Sequence, residues 1–141
     1  MSSGEVPPPP QGFLPAAGRG AFSGHNGPYF YLPSKEGAHQ AFYALGRHCN
    51  GLGLIHGGML CAFLDGLLAG AAARATGATP VTVHLSVDFL DMGRAGEWVF
   101  GEAHVTRAAR DVAFVEGRAH VAGRDLARAS GVFKLMRRRR G

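Results

Sequence analysis

The chain has few of the features that mark an exported protein. It contains 2 cysteines in 141 residues, and Cys49 and Cys61 do not follow the spacing of a disulfide framework. The N-terminal stretch MSSGEVPPPPQG has neither the basic start nor the apolar core of a signal peptide. We therefore expect a reduced, cytoplasmic protein.

Motifs for phosphate loops, metals and serine nucleophiles are also missing. There is no G-x-G-x-x-G or phosphate-loop sequence. His48, Cys49 and His56 lack a recognised metal-ligand pattern. Ser86 and Ser130 have no His or Asp partner at an informative spacing, which disfavours a serine nucleophile. We expect no bound metal and no resident cofactor.

The net charge of +5 does not by itself indicate a nucleic-acid partner, because four of the positive charges lie at residues 137–140. Without them the chain is close to neutral. A basic tail is typical of a solubility role or a weak electrostatic contact. The alternating strands described below also lack the aromatic stacking pattern of RNA-binding sheets. We expect no nucleic-acid partner.

One long apolar run, residues 57–73, predicts a central helix. We expect it to start near Gly57 and to end near residues 74–77, buried nearly all round. It is marginally short for a bilayer and carries Asp65 near its middle, so we expect no membrane span. A buried carboxylate is costly unless it is paired or used in function. The apolar residues that recur at i, i+3 and i+4 spacing are Leu60, Phe63, Leu64, Leu67, Leu68 and Ala71.

Alternation of apolar and polar residues predicts an antiparallel sheet. Short β-prone runs occur at residues 29–32 and 38–45. After Pro80 the period becomes two, which places Thr82 on the polar face of a half-buried strand. Four successive strands joined by short links favour a meander, with the helix packed across it. These four strands are predicted at residues 81–89, 97–107, 111–122 and 126–136.

Composition also suggests how the chain is divided. Residues 1–28 are rich in proline and glycine and predict a flexible arm. Residues 29–136 form one globular domain of ordinary size. Residues 137–141 form the basic tail.

Several short motifs follow one another along the chain in a distinctive order. They are Asn50, Gly53, His56-Gly57-Gly58, Asp65, Val81-Thr82-Val83, Phe89, Gly96-Glu97, Arg107–Arg110, Phe114-Val115-Glu116 and the stretch from Ala127 to Phe133. The order of these motifs resembles the hotdog-fold acyl-CoA thioesterases of the PaaI type, in the 4-hydroxybenzoyl-CoA thioesterase superfamily. The resemblance covers about residues 28–136. It implies an α+β fold in which an antiparallel sheet wraps around one long central helix.

The glycines that open the helix suit a reaction at a carbonyl group. Backbone N–H groups in the first turn of a helix have no intrahelical acceptor, and the helix dipole adds positive charge there. A thioester oxygen against the Gly57 N–H would be polarised. Asp65 is then the candidate general base or nucleophile, and the sequence leaves both roles open.

Helix geometry places His56 and Asp65 apart. They are nine residues distant, which corresponds to about half a turn out of phase and ~13 Å along the axis. One helix therefore cannot easily bring both to one carbonyl. We predict a site shared across a dimer, with His56 and Gly57 from one chain and Asp65 from the other. The resemblance implies the same arrangement, in a homodimer or a dimer of dimers.

The resemblance assigns roles to further residues. Asn50 and His56 would hold the thioester by hydrogen bonds, and Thr82 matches the position that holds the attacking water. Gly58, Leu64 and Phe89 would contact substrate, and Leu60 and Phe63 would add to the apolar wall. Arg107 and Arg110, with Arg94 as a weaker candidate, would contact the phosphates of coenzyme A.

The function implied is hydrolysis of a small or aromatic acyl-CoA thioester by a homo-oligomer, with coenzyme A present only as part of the substrate. Two alternatives stay open. One is a non-catalytic hotdog module that binds acyl-CoA, which retention of Asp65 disfavours. The other is a hotdog hydratase or dehydratase, which usually arranges Asp and His differently.

Overall fold

The computed structural model describes residues 5–33 and 36–137, so most of the predicted basic tail lies outside the described residues. Within them, a seven-stranded antiparallel sheet wraps around one long helix, which is the α+β hotdog arrangement expected. The elements are β1 (Leu14–Pro15), α1 (Ala21–Asn26), β2 (Tyr29–Tyr31), β3 (Ala38–Tyr43), a 3-10 turn (Gly46–His48), α2 (Gly57–Thr76), β4 (Thr79–Phe89), β5 (Trp98–Ala108), β6 (Val112–Val121) and β7 (Arg124–Met136).

The strand order corrects one prediction. The sheet runs β1-β2-β3-β5-β6-β7-β4, so β5, β6 and β7 form a meander but β4 pairs with β7 at the edge of the sheet. The four-strand meander was wrong for its first strand. After α2 crosses the sheet, β4 adds beyond β7, where Leu85 and Val87 pack against the core. Residues 90–97 then return the chain to β5.

Helix α2 begins and ends where the sequence indicates. His56 is its N-cap, and Gly77 follows its last residue with a φ of 71°, the left-handed conformation that favours glycine. The prediction that the helix is buried nearly all round was wrong. One face is only half-buried, and it carries Ala62, Asp65, Gly66 and Ala69. By length and composition α2 could cross a membrane, but here its apolar face packs on the sheet.

Three glycines on neighbouring strands let the helix approach the sheet closely. A Cβ atom at Gly101 would lie 2.7 Å from Leu67, and one at Gly117 would lie 2.8 Å from Leu68. A Cβ atom at Gly131 would likewise lie 3.1 Å from Leu68. The concave face of the sheet is therefore shaped by glycines, and its fully buried neighbours include Phe42, Phe63, Phe133, Leu64, Leu67 and Leu68.

A β-bulge in β4 determines which side chains reach the helix. Thr82 pairs with Phe133 and His84 pairs with Val132, so Val83 is the additional residue. Directly paired residues lie on one face of a sheet, and Phe133 is fully buried against α2. Thr82 therefore faces the helix, as Leu85 does beyond the bulge. A strict period of two would have placed these two residues on opposite faces.

The N-terminal arm has regular structure in part and contacts the domain. Leu14 in β1 pairs with Tyr31 in β2, and the ring of Phe13 lies 5.8 Å from that of Phe100. The Arg47 guanidinium donates to the carbonyls of His25 and Gly27. Nε2 of His48 hydrogen-bonds the Asn26 carbonyl at 2.7 Å. The contacts tie α1 to the 3-10 turn that precedes the Asn50 loop.

Candidate active site

The structure joins two of the predicted site residues directly. The Thr82 hydroxyl donates to Asp65 Oδ1 at 2.6 Å. The bond links the middle of α2 to the strand at the edge of the sheet. It fixes one carboxylate oxygen and leaves Oδ2 to accept from a water molecule or another donor. Asp65 is half-buried and Thr82 is exposed, so the pair is open to solvent in the single chain.

A second group of predicted residues lies at the start of α2. His56 Nδ1 accepts from the Gly58 N–H at 2.7 Å. A neutral imidazole that accepts at Nδ1 carries its proton on Nε2, so His56 Nε2 is a donor. The Gly57 N–H has no acceptor within the described part of the chain. Gly57 N–H and His56 Nε2–H are therefore two donors available for a ligand oxygen at the positive end of the helix dipole.

Phe89 lies against the backbone of Gly57. A Cβ atom at Gly57 would be 3.3 Å from Phe89 Cζ, so a larger residue there would displace the ring. Phe89 is also 54% exposed, which makes it an apolar surface beside the two donors. This position at the helix start suits contact with the apolar part of a substrate.

Asn50 organises the loop that leads into α2. Its Oδ1 accepts from the backbone N–H groups of Leu52 (2.9 Å) and Leu54 (3.2 Å). The side-chain Nδ2 has no acceptor among the described residues, so it is a donor that a ligand could use. The loop is held from the other side by the bond from Ile55 N–H to the carbonyl of Gly93, at 2.8 Å.

The two groups do not meet in a single chain. Asp65 follows Gly57 by eight residues, which is about 12 Å along the helix axis. Asn50, His56, Gly57, Gly58 and Phe89 lie around the helix start, and Asp65 and Thr82 lie two turns further on.

The predicted coenzyme A contacts lie at different ends of the molecule. Arg107 lies near the end of β5 and Arg110 lies in the turn between β5 and β6. This turn is next to the end of α2, because Arg137 bonds both the Arg110 and Thr76 carbonyls. That end is opposite to Gly57. Arg94, the weaker candidate, forms an isolated bridge with Leu54 and is exposed, so its backbone borders the Asn50 loop.

Only part of the predicted apolar wall is exposed to a ligand. Leu60, Phe63 and Leu64 are at most 3% exposed and pack in the core, so they offer no surface to a ligand of the single chain. Sequence reasoning did not identify Leu52 and Met92 as candidates for an apolar surface. They are 79% and 64% exposed in the segments beside the helix start. Large apolar residues in two turn segments were the available signal.

His48 is a structural residue in this arrangement. It is 3% exposed, and its Nδ1 accepts from the Leu45 N–H at 3.0 Å while Nε2 donates to the Asn26 carbonyl. Burial lowers the pKa of His48, and the bond to Asn26 partly opposes this. Both ring nitrogens are occupied, so His48 has none left for a metal. The described residues contain no group of three or more side chains suited to a metal ion.

A sheet wrapped around a helix, with donors at the helix start and a carboxylate two turns along it, defines the hotdog class of thioester-processing proteins. Residues 52–128 match the family model described as Thioesterase superfamily. The chain is 35% identical over 131 residues to a Pseudomonas aeruginosa protein named "Putative esterase PA0474", which covers 89% of this chain and 96% of that protein. The chain belongs to the thioesterase superfamily, and its general activity is thioester hydrolysis.

Solved structures show the same fold. A mutant form of the phenylacetic acid degradation protein PaaI from Thermus thermophilus matches with a TM-score of 0.73 and 22% identity, over 82% of this chain and 98% of that one. Zebra fish thioesterase superfamily member 2 matches with a TM-score of 0.71 and 22% identity, over 76% and 80%. At these identities the likeness concerns the fold alone.

Proposed function

We propose that the protein hydrolyses an acyl-CoA thioester with a small or aromatic acyl group to the free acid and coenzyme A. The observation that carries this proposal is the pair of donors at the start of α2, the Gly57 N–H and the His56 Nε2–H. Two donors at a helix N-terminus suit the negative charge that develops on a thioester oxygen during attack.

The attacking group would come from the Asp65–Thr82 pair. With Oδ1 held by Thr82 at 2.6 Å, Oδ2 is free to take a proton from water. The hydroxide so formed would add to the thioester carbon, and the tetrahedral intermediate would expel the coenzyme A sulfur, which takes the proton back from Asp65. Direct attack by the carboxylate, giving an anhydride that water then opens, uses the same oxygen.

Each site would be shared by two copies of the chain. Asp65 and the donors at Gly57 are about 12 Å apart on one helix, too far to act on one carbonyl. Strand β4 is an edge of the described sheet, with Val81 50% and Val83 66% exposed, which suits pairing with a second copy. Thr82 lies on this strand, so a copy paired antiparallel would bring the partner's Asp65 toward the first chain's Gly57.

Coenzyme A would lie along the loops that border the helix start. Arg94 is exposed next to Leu54 and is a candidate phosphate contact from the same chain as Gly57. Arg107 and Arg110 lie beside the C-terminal end of α2, and Gly57 lies at its N-terminal end. These two arginines could therefore contact the substrate at this site only from the second copy. Phe89 would pack against the acyl group or the pantetheine arm.

Thiol release from a panel of acyl-CoAs tests the proposal, with wild type compared with Asp65→Asn. We expect the variant to lose activity by at least 100-fold, because an amide neither takes a proton from water nor attacks a carbonyl. Asp88→Asn is the matched control, since Asp88 is an exposed carboxylate on the same strand as Thr82. Binding of acyl-CoA without release by wild type would sink the enzyme proposal and support the non-catalytic module.

A further inference from the structure

The chain has a second concave site on the opposite side of α2 from Asp65. It is a cleft of about 500 Å³ between the N-terminal arm, the start of β3 and the C-terminal half of α2, and we call it the arm cleft. Arg19, Gln40, Gly70 and Arg74 define its polar part. Gly70 follows Asp65 by five residues, which is about 140° around the helix. The arm cleft is therefore separate from the proposed thioester site.

The floor of the arm cleft has two donors that lack an acceptor in the part of the chain that the structure describes. Gln40 is 4% exposed, and its Oε1 accepts from Arg19 Nη1 at 3.1 Å. That bond fixes the amide so that Nε2 is a donor directed at Gly70. A Cβ atom at Gly70 would lie 2.9 Å from Gln40 Nε2 and 3.8 Å from Arg19 Nη2. Neither nitrogen has a hydrogen-bond acceptor elsewhere in residues 5–33 and 36–137. Glycine at this position leaves the space between them open.

The charge of the arm cleft is positive. Arg19 forms no ion pair with any described carboxylate, and its guanidinium lies 5.9 Å from the centre of the Tyr29 ring. Partial burial lowers the pKa of Arg19, as expected for a cation that lacks an anionic neighbour. Arg74 adds a second positive charge at the rim while bonding the Gly37 carbonyl. No Asp or Glu is among the described residues that line the cleft.

Apart from Tyr31 and His39, the remaining wall is apolar and comes mainly from Pro15, Ala16, Ala17, Leu32 and Ala38. A cleft of this volume, with apolar walls and a few convergent donors, is typical of small-molecule sites, which span about 300–1,000 Å³. A guanidinium beside an amide N–H matches the two oxygens of a carboxylate. The apolar wall favours a ligand whose carboxylate is attached to a ring or a short alkyl chain.

We propose that the arm cleft binds a small organic carboxylate, with one oxygen on Arg19 Nη2 and the other on Gln40 Nε2. The ligand would connect the N-terminal arm to α2, because Arg19 belongs to the arm and Gly70 to the helix. This inference does not depend on the proposed hydrolysis.

Titration of the ¹⁵N-labelled full chain with benzoate, hexanoate and inorganic phosphate tests the inference. We expect benzoate and hexanoate to shift the signals of the Gly70 amide, the Gln40 side-chain amide and the Arg19 Nε–H in a saturable way. Phosphate should bind more weakly, because it gains nothing from the apolar wall. Shifts confined to Gly57 and Thr82, or phosphate binding as tight as that of benzoate, would overturn the proposal.

Two variants separate the arm cleft from general charge effects. Arg19→Gln should weaken benzoate binding at least tenfold, because it removes a charge-assisted hydrogen bond. Gly70→Ala keeps the charge but fills the floor, and it should weaken binding as well. Arg128→Gln is the matched control, since Arg128 is an exposed arginine on the outer face of the sheet and lies outside the arm cleft. Equal affinity in Arg19→Gln and wild type would refute the site.

Discussion

At the scale of the residue, the central observation is that one hydroxyl orients one carboxylate. Thr82 donates to Asp65 Oδ1 across the gap between β4 and α2. The resemblance predicted from the sequence that both residues belong to the site. Their contact could not, because it depends on a bulge at Val83 that no alternation pattern contains.

Thr82→Val tests this contact with little change of shape. Valine keeps the β-branched side chain that suits a strand, but it cannot donate to Asp65. Because Thr82 is exposed, we expect the free energy of unfolding to change by less than about 0.5 kcal/mol. We expect kcat for thiol release to fall about 10- to 100-fold, with KM nearly unchanged. Thr82→Ser should retain most of the activity, and a Thr82→Val enzyme with wild-type kcat would show that the bond has no role.

The first two glycines of α2 differ in whether their N–H groups are available to a ligand. Sequence reasoning predicted that Gly57 and Gly58 would both offer N–H groups. In the structure His56 Nδ1 accepts from the Gly58 N–H, so of the two glycines it is Gly57 whose N–H has no acceptor among the described residues. The distinction depends on the N-cap rotamer of His56, which is a property of the folded backbone.

At the scale of the element, the 3-10 turn Gly46–His48 connects the arm to the site loop. His48 holds the turn through the Leu45 N–H and holds α1 through the Asn26 carbonyl. In the sequence, His48 was considered only as a metal ligand together with Cys49 and His56, and their spacing did not support a metal site. Its structural role was hidden because the partners are backbone groups, one of them 22 residues away.

This arrangement predicts a stability that falls in mild acid. Burial lowers the pKa of both His48 and His120 in the folded chain, so the unfolded chain binds protons first as the pH drops. The free energy of unfolding is therefore at its full value above about pH 6.5. Below that pH, the buried His48 should lower it by up to about 1.4 kcal/mol per pH unit, until the pH reaches its lowered pKa, and the more exposed His120 should lower it by less.

Urea unfolding between pH 5 and pH 8 measures this dependence. In His48→Gln we expect a lower stability at every pH and a shallower loss below pH 6.5. His104→Gln is the matched control, because His104 is exposed on the outer face of the sheet. An identical pH dependence in His48→Gln and wild type would contradict the role given to His48.

At the scale of the whole molecule, the sheet places β4 where a second copy could pair with it. Helix α2, strands β2 to β7 and their approximate bounds followed from hydrophobic period, turn residues and caps. Strand β1 and helix α1 were not predicted, because residues 1–28 were expected to form a flexible arm. The neighbour of β4 was not predicted either, because link lengths permit it to pair with either β5 or β7. The choice depends on how α2 crosses the sheet, where Gly101, Gly117 and Gly131 let it approach the strands. These are long-range packing effects that local sequence patterns do not encode.

Mixing two inactive variants tests the shared site. His56→Ala damages the donor half, and Asp65→Asn damages the carboxylate half. If each site combines halves from two chains, a mixed dimer holds one intact site and one doubly damaged site. Half of the dimers in a random 1:1 mixture are mixed, and each of these has one intact site out of two. About a quarter of all sites are then intact, so the thiol-release activity should return to about a quarter of that of wild type at equal protein concentration.

The control for this experiment uses two variants of the same half. Asp65→Asn mixed with Thr82→Val should show no more activity than the average of the two, since every mixed site carries one of the two changes. If both halves of a site belonged to one chain, mixing His56→Ala with Asp65→Asn would restore nothing. Recovery in the first mixture and not in the second therefore assigns the donors and the carboxylate to different chains, as the separation of about 12 Å between Gly57 and Asp65 along α2 requires.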